Sequence, residues 1–139
     1  MVVKIKLDEG AFMPSRAHSL DAGFDLYSRE DATIFGKDGG KFDTGVHIQI
    51  PEGFVGFVKS KSGLHTKSGI SAEGVIDAGY TGSIHVMLRN HGKKAVEIKK
   101  GQKIAQIVLM PIITPNLVAV EQLEETERGS NGFGSTGKF

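Results

Sequence analysis

Cysteine is absent from the 139 residues, which excludes disulfide frameworks, thiol nucleophiles and thiolate-bound zinc or iron–sulfur sites. An excess of one charge is also lacking: 17 Lys and Arg stand against 16 Asp and Glu, for a formal charge of +1. That balance argues against a general nucleic-acid or membrane-surface binder, because both need a large basic excess. No apolar run approaches a bilayer span, and the opening MVVKIKLDEG has no apolar h-region, so a cytoplasmic, membrane-free protein is expected. Tandem repeats and a dividing linker are missing too. The length suits one domain with a real core.

What is present is a period of two. Val3, Ile5 and Leu7 alternate with Lys4 and Lys6; Val46, Ile48 and Ile50 alternate with His47 and Gln49; Ile84, Val86 and Leu88 repeat the pattern. The nearly continuous apolar run from Lys103 to Ile113 predicts a strand buried on both faces. Turn signals (GKDGG at 36–40, PEG at 51–53, NHG at 90–92, TPN at 114–116) separate these runs. Short strands at such spacing predict an all-β sandwich or barrel. A short helix is expected from Ser62 to Lys67, with Ser62 as N-cap and Gly69 beyond its end. The lysines at 93, 94, 99, 100 and 103 read as solvated strand ends and turns.

After Leu123 the pattern dissolves into an acidic run and the tail RGSNGFGSTGK. Gly132, Gly134 and Gly137 fit G-x-G-x-x-G, and Gly132 to Lys138 fits G-x-x-x-x-G-K. Both motifs set phosphates on the N-terminus of a following helix, yet only Phe139 follows. The composition points to another use of the same chemistry. An arginine forks onto phosphate oxygens, glycine-freed N–H groups form anion nests, and a lone aromatic stacks on a base. The tail reads as a lid that orders only over a nucleotide.

Three further stretches carry polar or glycine signals. DAGFDLYS (21–28) holds Asp25, VKSKSGLH (58–65) places Lys59, Ser60, Lys61 and Ser62 at a turn into the helix, and GVIDAGYTG (74–82) holds Asp77 and Tyr80. Singly each has a plain account: an Asx turn at Asp77, a packed aromatic at Tyr80, a solvated Asp25, a helix cap at Ser62. Together, and in order with GQKIAQIVL (101–109) and the tail, they resemble the five motifs of the trimeric dUTPase family over nearly the whole chain.

That resemblance implies a distorted β jelly-roll body over 1–123, a mobile C-terminal arm over 124–139, and a homotrimer with active sites shared between subunits. It implies an enzyme that hydrolyses dUTP to dUMP and pyrophosphate with Mg2+, limiting uracil incorporation into DNA and supplying dUMP. The implied catalytic residues are Asp77 as general base, Asp25 in the outer shell of a magnesium held by triphosphate and water, and Gln106. The implied substrate contacts are Lys61, Ser62, Gly63 and Gln106 on phosphates, and Ser71, Gly74 and Ile76 in the uracil-reading hairpin. Tyr80 packs under the deoxyribose. Arg128, Phe133, Gly134, Ser135 and Thr136 come from the arm. Two positions depart from the usual pattern: Lys61 stands where the second motif commonly has arginine, losing the planar fork, and Ser71 stands where some members carry asparagine. Two alternatives stay open. A dCTP deaminase needs a carboxylate at the cytosine ring, for which Glu73 is the local candidate, and the other alternative is a dUTPase-like scaffold whose work is protein recognition.

Overall fold

The computed structural model describes residues 1–137; Lys138 and Phe139, which close the phosphate-loop-like run, lie outside them. Among the described residues ten strands and one helix follow in order: β1 Lys4–Leu7, β2 Gly23–Tyr27, β3 Ala32–Ile34, β4 Gly39–Asp43, β5 Val46–Gln49, β6 Phe54–Ser60, α1 Ser62–Ser68, β7 Ile70–Asp77, β8 His85–Asn90, β9 Val96–Ile98 and β10 Lys103–Pro111. The main sheet runs β2-β10-β6-β7-β8-β4, with β1-β5 and β3-β9 as two-stranded companions. Every pairing is antiparallel. The curled sheets wrap one core in the manner of a jelly roll.

The alternating triplets form that core. Val46, Ile48 and Ile50 are buried, as are Ile84, Val86 and Leu88, and they share it with Leu26 and Ile98. Burying such a side chain contributes about 1.5–3 kcal/mol. Polar groups inside are all satisfied: Asn90 donates to the carbonyls of Ile34 and Lys94 and accepts from the N–H of Gly92. No buried side-chain nitrogen or oxygen among the described residues lacks a partner.

Three local expectations are corrected. Leu7 is exposed, because β1 pairs only with β5 and its end runs past the core. The strand β10 is buried in its first half, at Ile104, Ala105 and Ile107, while Met110, Ile112 and Ile113 are exposed. It outruns its neighbour, since its pairing with β2 ends at Val108↔Gly23. Ser62 is the first residue of α1 rather than its cap; Lys61 takes the N-cap position and makes no side-chain cap bond. Gly69 does close the helix in a left-handed conformation. Beyond Pro111 no strand or helix forms among the described residues, and 112–137 are exposed throughout.

Candidate active site

Three neighbouring strands at one edge of the main sheet, β2, β10 and β6, bring one group of predicted residues together. Gln106 in β10 faces Asp25 in β2 on one side and Lys59 in β6 on the other. Asp25 is almost fully buried, and each carboxylate oxygen holds an ammonium: Oδ1 lies 2.6 Å from Lys61 Nζ and Oδ2 lies 2.7 Å from Lys103 Nζ. Burial alone pushes the Asp25 carboxyl up, but Lys103 and Lys61 outweigh it and hold the group below the ordinary aspartate value. The same contact raises Lys103 above the usual lysine range. Gln106 donates from Nε2 to the Ser60 carbonyl at 3.0 Å. Its amide crosses Gly23 so closely that a Cβ there would meet Oε1 at 2.3 Å, so any larger residue at 23 displaces the Gln106 amide. Ser62 and Gly63 begin α1 directly after Lys61. The result is a cationic ledge with a buried carboxylate at its root.

Removing that root has a calculable effect. Asp25→Ala leaves Lys61 and Lys103 facing each other, and loss of one partner of a buried pair costs about 3–5 kcal/mol. Both ammoniums retain partial exposure, so the expected loss is toward about 2–3 kcal/mol. Since the folded pKa is depressed, the wild-type contribution is complete above about pH 4 and disappears as pH falls through the folded value. Thermal melts from pH 7 to pH 2 should therefore show a gap between wild type and variant that narrows in acid. A constant gap would mean that the ion pairs carry none of the difference.

A second group sits on the β7 hairpin. β6 pairs with β7 along Glu73–Asp77, whereas β8 pairs with it only at Ile70, Ser71 and Ala72. The main chain of 73–77 thus has one edge bonded and the other facing a gap. Gly74 and Ile76 lie on this stretch; the Ile76 side chain packs on the core, leaving its backbone to the gap. Asp77 ends the strand in an exposed position. The turn that follows is fixed by main-chain contacts. Tyr80 N–H donates to the Asp77 carbonyl at 3.1 Å, and Tyr80 Oη donates to the Ser83 carbonyl at 2.9 Å. The ring lies over Gly82, where a Cβ would meet the phenol oxygen at 2.4 Å. Ser71 Oγ is 2.6 Å from His91 Nε2.

These two groups are not adjacent in one chain. Asp25 shares a row with Gln106, Lys59 and Glu73, while Asp77 shares one with Val55 and Met110, four residues farther along β6 and β7. At about 3.3 Å per residue and 4.8 Å per strand, their backbones are on the order of 20 Å apart. Among the described residues, the tail makes no hydrogen bond to either group. Arg128 Nε donates to the Asn131 carbonyl at 3.0 Å, Ser135 N–H and Gly137 N–H close turns on Gly132 and Gly134, and Phe133 is fully exposed. Gly134, Ser135 and Thr136 share that exposed turn. Lys103 escaped notice in the sequence, where it reads as one more solvated lysine; the β2–β10 register sets it opposite Tyr27, two residues along β2 from Asp25, and only that pairing brings its ammonium to the carboxylate.

A family model described as dUTPase matches residues 9–137. The deoxyuridine 5'-triphosphate nucleotidohydrolase of Clostridium tetani is 45% identical over 140 residues, covering 98% of this chain and 97% of the relative. The chain belongs to the dUTPase family. The nucleotidohydrolase of Candida albicans is similar at 47% identity, over 91% of this chain and 81% of the relative. Among solved structures, the dUTPase of Staphylococcus bacteriophage 80alpha with dUPNHPP superposes with a TM-score of 0.92 at 34% identity, over 98% of each chain. A mutant dUTPase from phage phi11 of S. aureus, which coordinates a structural Mg(II) ion, superposes at 0.83 with 31% identity, over 90% of this chain and 100% of that one. As a dUTPase the protein is an enzyme, a nucleotide hydrolase built on an all-β jelly roll with one short helix.

Proposed function

We propose that this dUTPase hydrolyses dUTP to dUMP and pyrophosphate by in-line attack of water at the α-phosphorus. Asp77 orients and deprotonates the water. Ser62, Gly63 and Gln106 contact the α- and β-phosphates, and Lys61 lends charge beside them. Gln106 also has its amide anchored by Ser60, which supports a fixed presentation. The reading is carried by one observation: Glu73–Asp77 is bonded to β6 on one edge and free on the other. Backbone N–H and C=O groups held in this way suit a pyrimidine edge. Polar mismatch there rejects cytosine strongly, whereas thymine's methyl is worth only about 1–3 kcal/mol. Tyr80, pinned to Ser83 and over Gly82, is placed to pack against a deoxyribose and leave no room for a 2′-hydroxyl. The Ser71 hydroxyl, tied to His91, borders the same strand.

The donor set suits a magnesium ion that arrives with the substrate. Both Asp25 oxygens already carry ammoniums, so phosphates and water are the direct ligands and Asp25 acts through its basic neighbours. When bound, the metal offsets triphosphate charge and orients its oxygens. Asp25 sets where Lys61 and Lys103 present theirs.

The roughly 20 Å between the Asp25 and Asp77 rows supports a site assembled from more than one copy, as in a homotrimer with shared active sites. The exposed apolar side chains of Ile113, Leu117, Val118 and Leu123 support association as well. We assign residues 124–139 to the arm, with Arg128 on the γ-phosphate, Phe133 over the uracil, and Gly134, Ser135 and Thr136 alongside. A cytoplasmic location fits a nucleotide-pool enzyme, and among the described residues no helix is long and apolar enough to cross a membrane. The deaminase alternative is disfavoured: Glu73 points to the exposed face, paired with Lys59 at 3.1 Å.

The test is pyrophosphate release from dUTP with dTTP, dCTP and UTP as controls, and ammonia release from dCTP. Selective dUTP cleavage without ammonia is expected. Equal rates on UTP contradict the role given to Tyr80.

A further inference from the structure

The turn that carries Tyr80 is held from outside by a histidine the dUTPase motifs do not include. His47 in β5 reaches two acceptors at once. Its Nδ1–H donates to the Thr81 carbonyl at 2.7 Å, and its Nε2–H donates to the Asp8 carboxylate at 3.0 and 3.1 Å. A carbonyl and a carboxylate both only accept, while a neutral imidazole has one N–H. Either neutral tautomer therefore turns a lone pair toward an oxygen. The geometry is complete only for the imidazolium.

We propose that His47, as an imidazolium, is a positioning residue that clamps the Thr81 carbonyl and thereby fixes the adjacent Tyr80 for discrimination against 2′-hydroxylated nucleotides. This rests on the reading of Tyr80 given above and deepens it. The surroundings are few and named. From β1, Lys6 stands opposite His47 in register and opposes its charge, and Lys4 lines the same shallow pocket. Asp8 follows that strand, and Lys6 Nζ lies 4.0 Å from its carboxylate. The turn 78–84 brings no titratable side chain besides Tyr80. The Thr81 carbonyl and Asp8 hold the imidazole above the ordinary histidine range. On the other leg of the turn, Ser83 Oγ donates to Asp43, which also accepts from Arg29 Nη2 at 2.8 Å and from the Gly45 N–H. His85 Nδ1 pairs with the Ser83 carbonyl. Thus Ser83 stays tethered when His47 loses its proton, and the freedom gained falls on Thr81 and Tyr80.

The sign follows. A raised folded pKa means both bonds are intact below the ordinary histidine value; as pH rises through the raised one a single N–H remains, the anionic Asp8 claims it as the stronger acceptor, and the bond to Thr81 is the one lost. The quantity to measure is the ratio of kcat/KM for dUTP to kcat/KM for UTP between pH 6 and pH 9. That ratio cancels ionisation of the base and phosphates, which both nucleotides share. In the wild type it should fall about 3- to 10-fold across the window, the range for losing one partly exposed hydrogen bond. His47→Gln should sit at the low value with a flat profile. Asp8→Asn should move both the fall in the ratio and the His47 NMR titration midpoint to lower pH, a displacement that a purely structural role does not produce. A ratio in His47→Gln that tracks wild type at every pH overturns the proposal, as does a wild-type His47 midpoint at or below that of free histidine. Tyr80→Ala separates this from the parent reading. If it abolishes discrimination while His47→Gln does not, Tyr80's role stands and the clamp fails. If Tyr80→Ala still discriminates, the assignment of Tyr80 falls, and the clamp with it.

Discussion

Asp77→Asn is expected to lower pyrophosphate release from dUTP by about 10²–10⁴-fold, the contribution of a positioned general base. The exchange keeps size and shape, so the loss isolates the carboxylate. Nothing in the turn depends on that side chain: the bond that sets Tyr80 runs from its own N–H to the Asp77 main-chain carbonyl, and the strand before it is laddered to β6. Calorimetric affinity for a non-hydrolysable dUTP analogue should therefore change little, and the melting temperature should hold. The split matters more than the size of the loss. Weakened analogue binding in step with turnover assigns Asp77 to ground-state binding, and a variant retaining a tenth of the activity removes it from the chemistry.

Deletion of residues 128–139 is expected to reduce dUTP hydrolysis by orders of magnitude while leaving thermal stability untouched. The described tail contributes no buried side chain, and its hydrogen bonds are internal turns. Ordering about ten residues costs on the order of 10 kcal/mol in backbone entropy. Charge-assisted bonds from an arginine and freed N–H groups supply about 1.5–3 kcal/mol each, and a base stack about 1–3. The sums nearly cancel, so closure requires a ligand that offers phosphate and base together. Arg128→Ala should reproduce most of the deletion's loss of affinity for a non-hydrolysable triphosphate analogue and little of its loss for dUMP. A large drop in melting temperature on deletion identifies the tail as part of the folded body instead.

The body was legible in the sequence because alternation is a local property. Val46, Ile48, Ile50, Ile84, Val86 and Leu88 announced their faces and are buried. So was the family, since motif order survives without knowledge of pairing. What escaped depends on register and on where strands end. Leu7 has the right parity but no core beneath it. The apolar run of β10 continues past the end of β2, so its second half keeps β6 on one edge but has no strand on the other. Lys61 and Ser62 each differ by one position from the helix-cap reading, because cap geometry is set by how β6 delivers the chain. The pairing of Lys61 and Lys103 on Asp25, and of His47 on Thr81, joins residues 36, 78 and 34 positions apart. No local pattern encodes such meetings.

The one-sided bonding of β7 has a kinetic corollary. Its 73–77 stretch is already stiffened by β6, so seating a heterocycle against it freezes almost no main chain, and little of the encounter's free energy goes into ordering. An ill-matched ring can then leave as quickly as it came, before the slower wrapping of the terminus begins. On the roles proposed above, sorting by the stiff edge comes first and commitment second, and the off-rates of wrong nucleotides from the open enzyme are expected to set the fidelity.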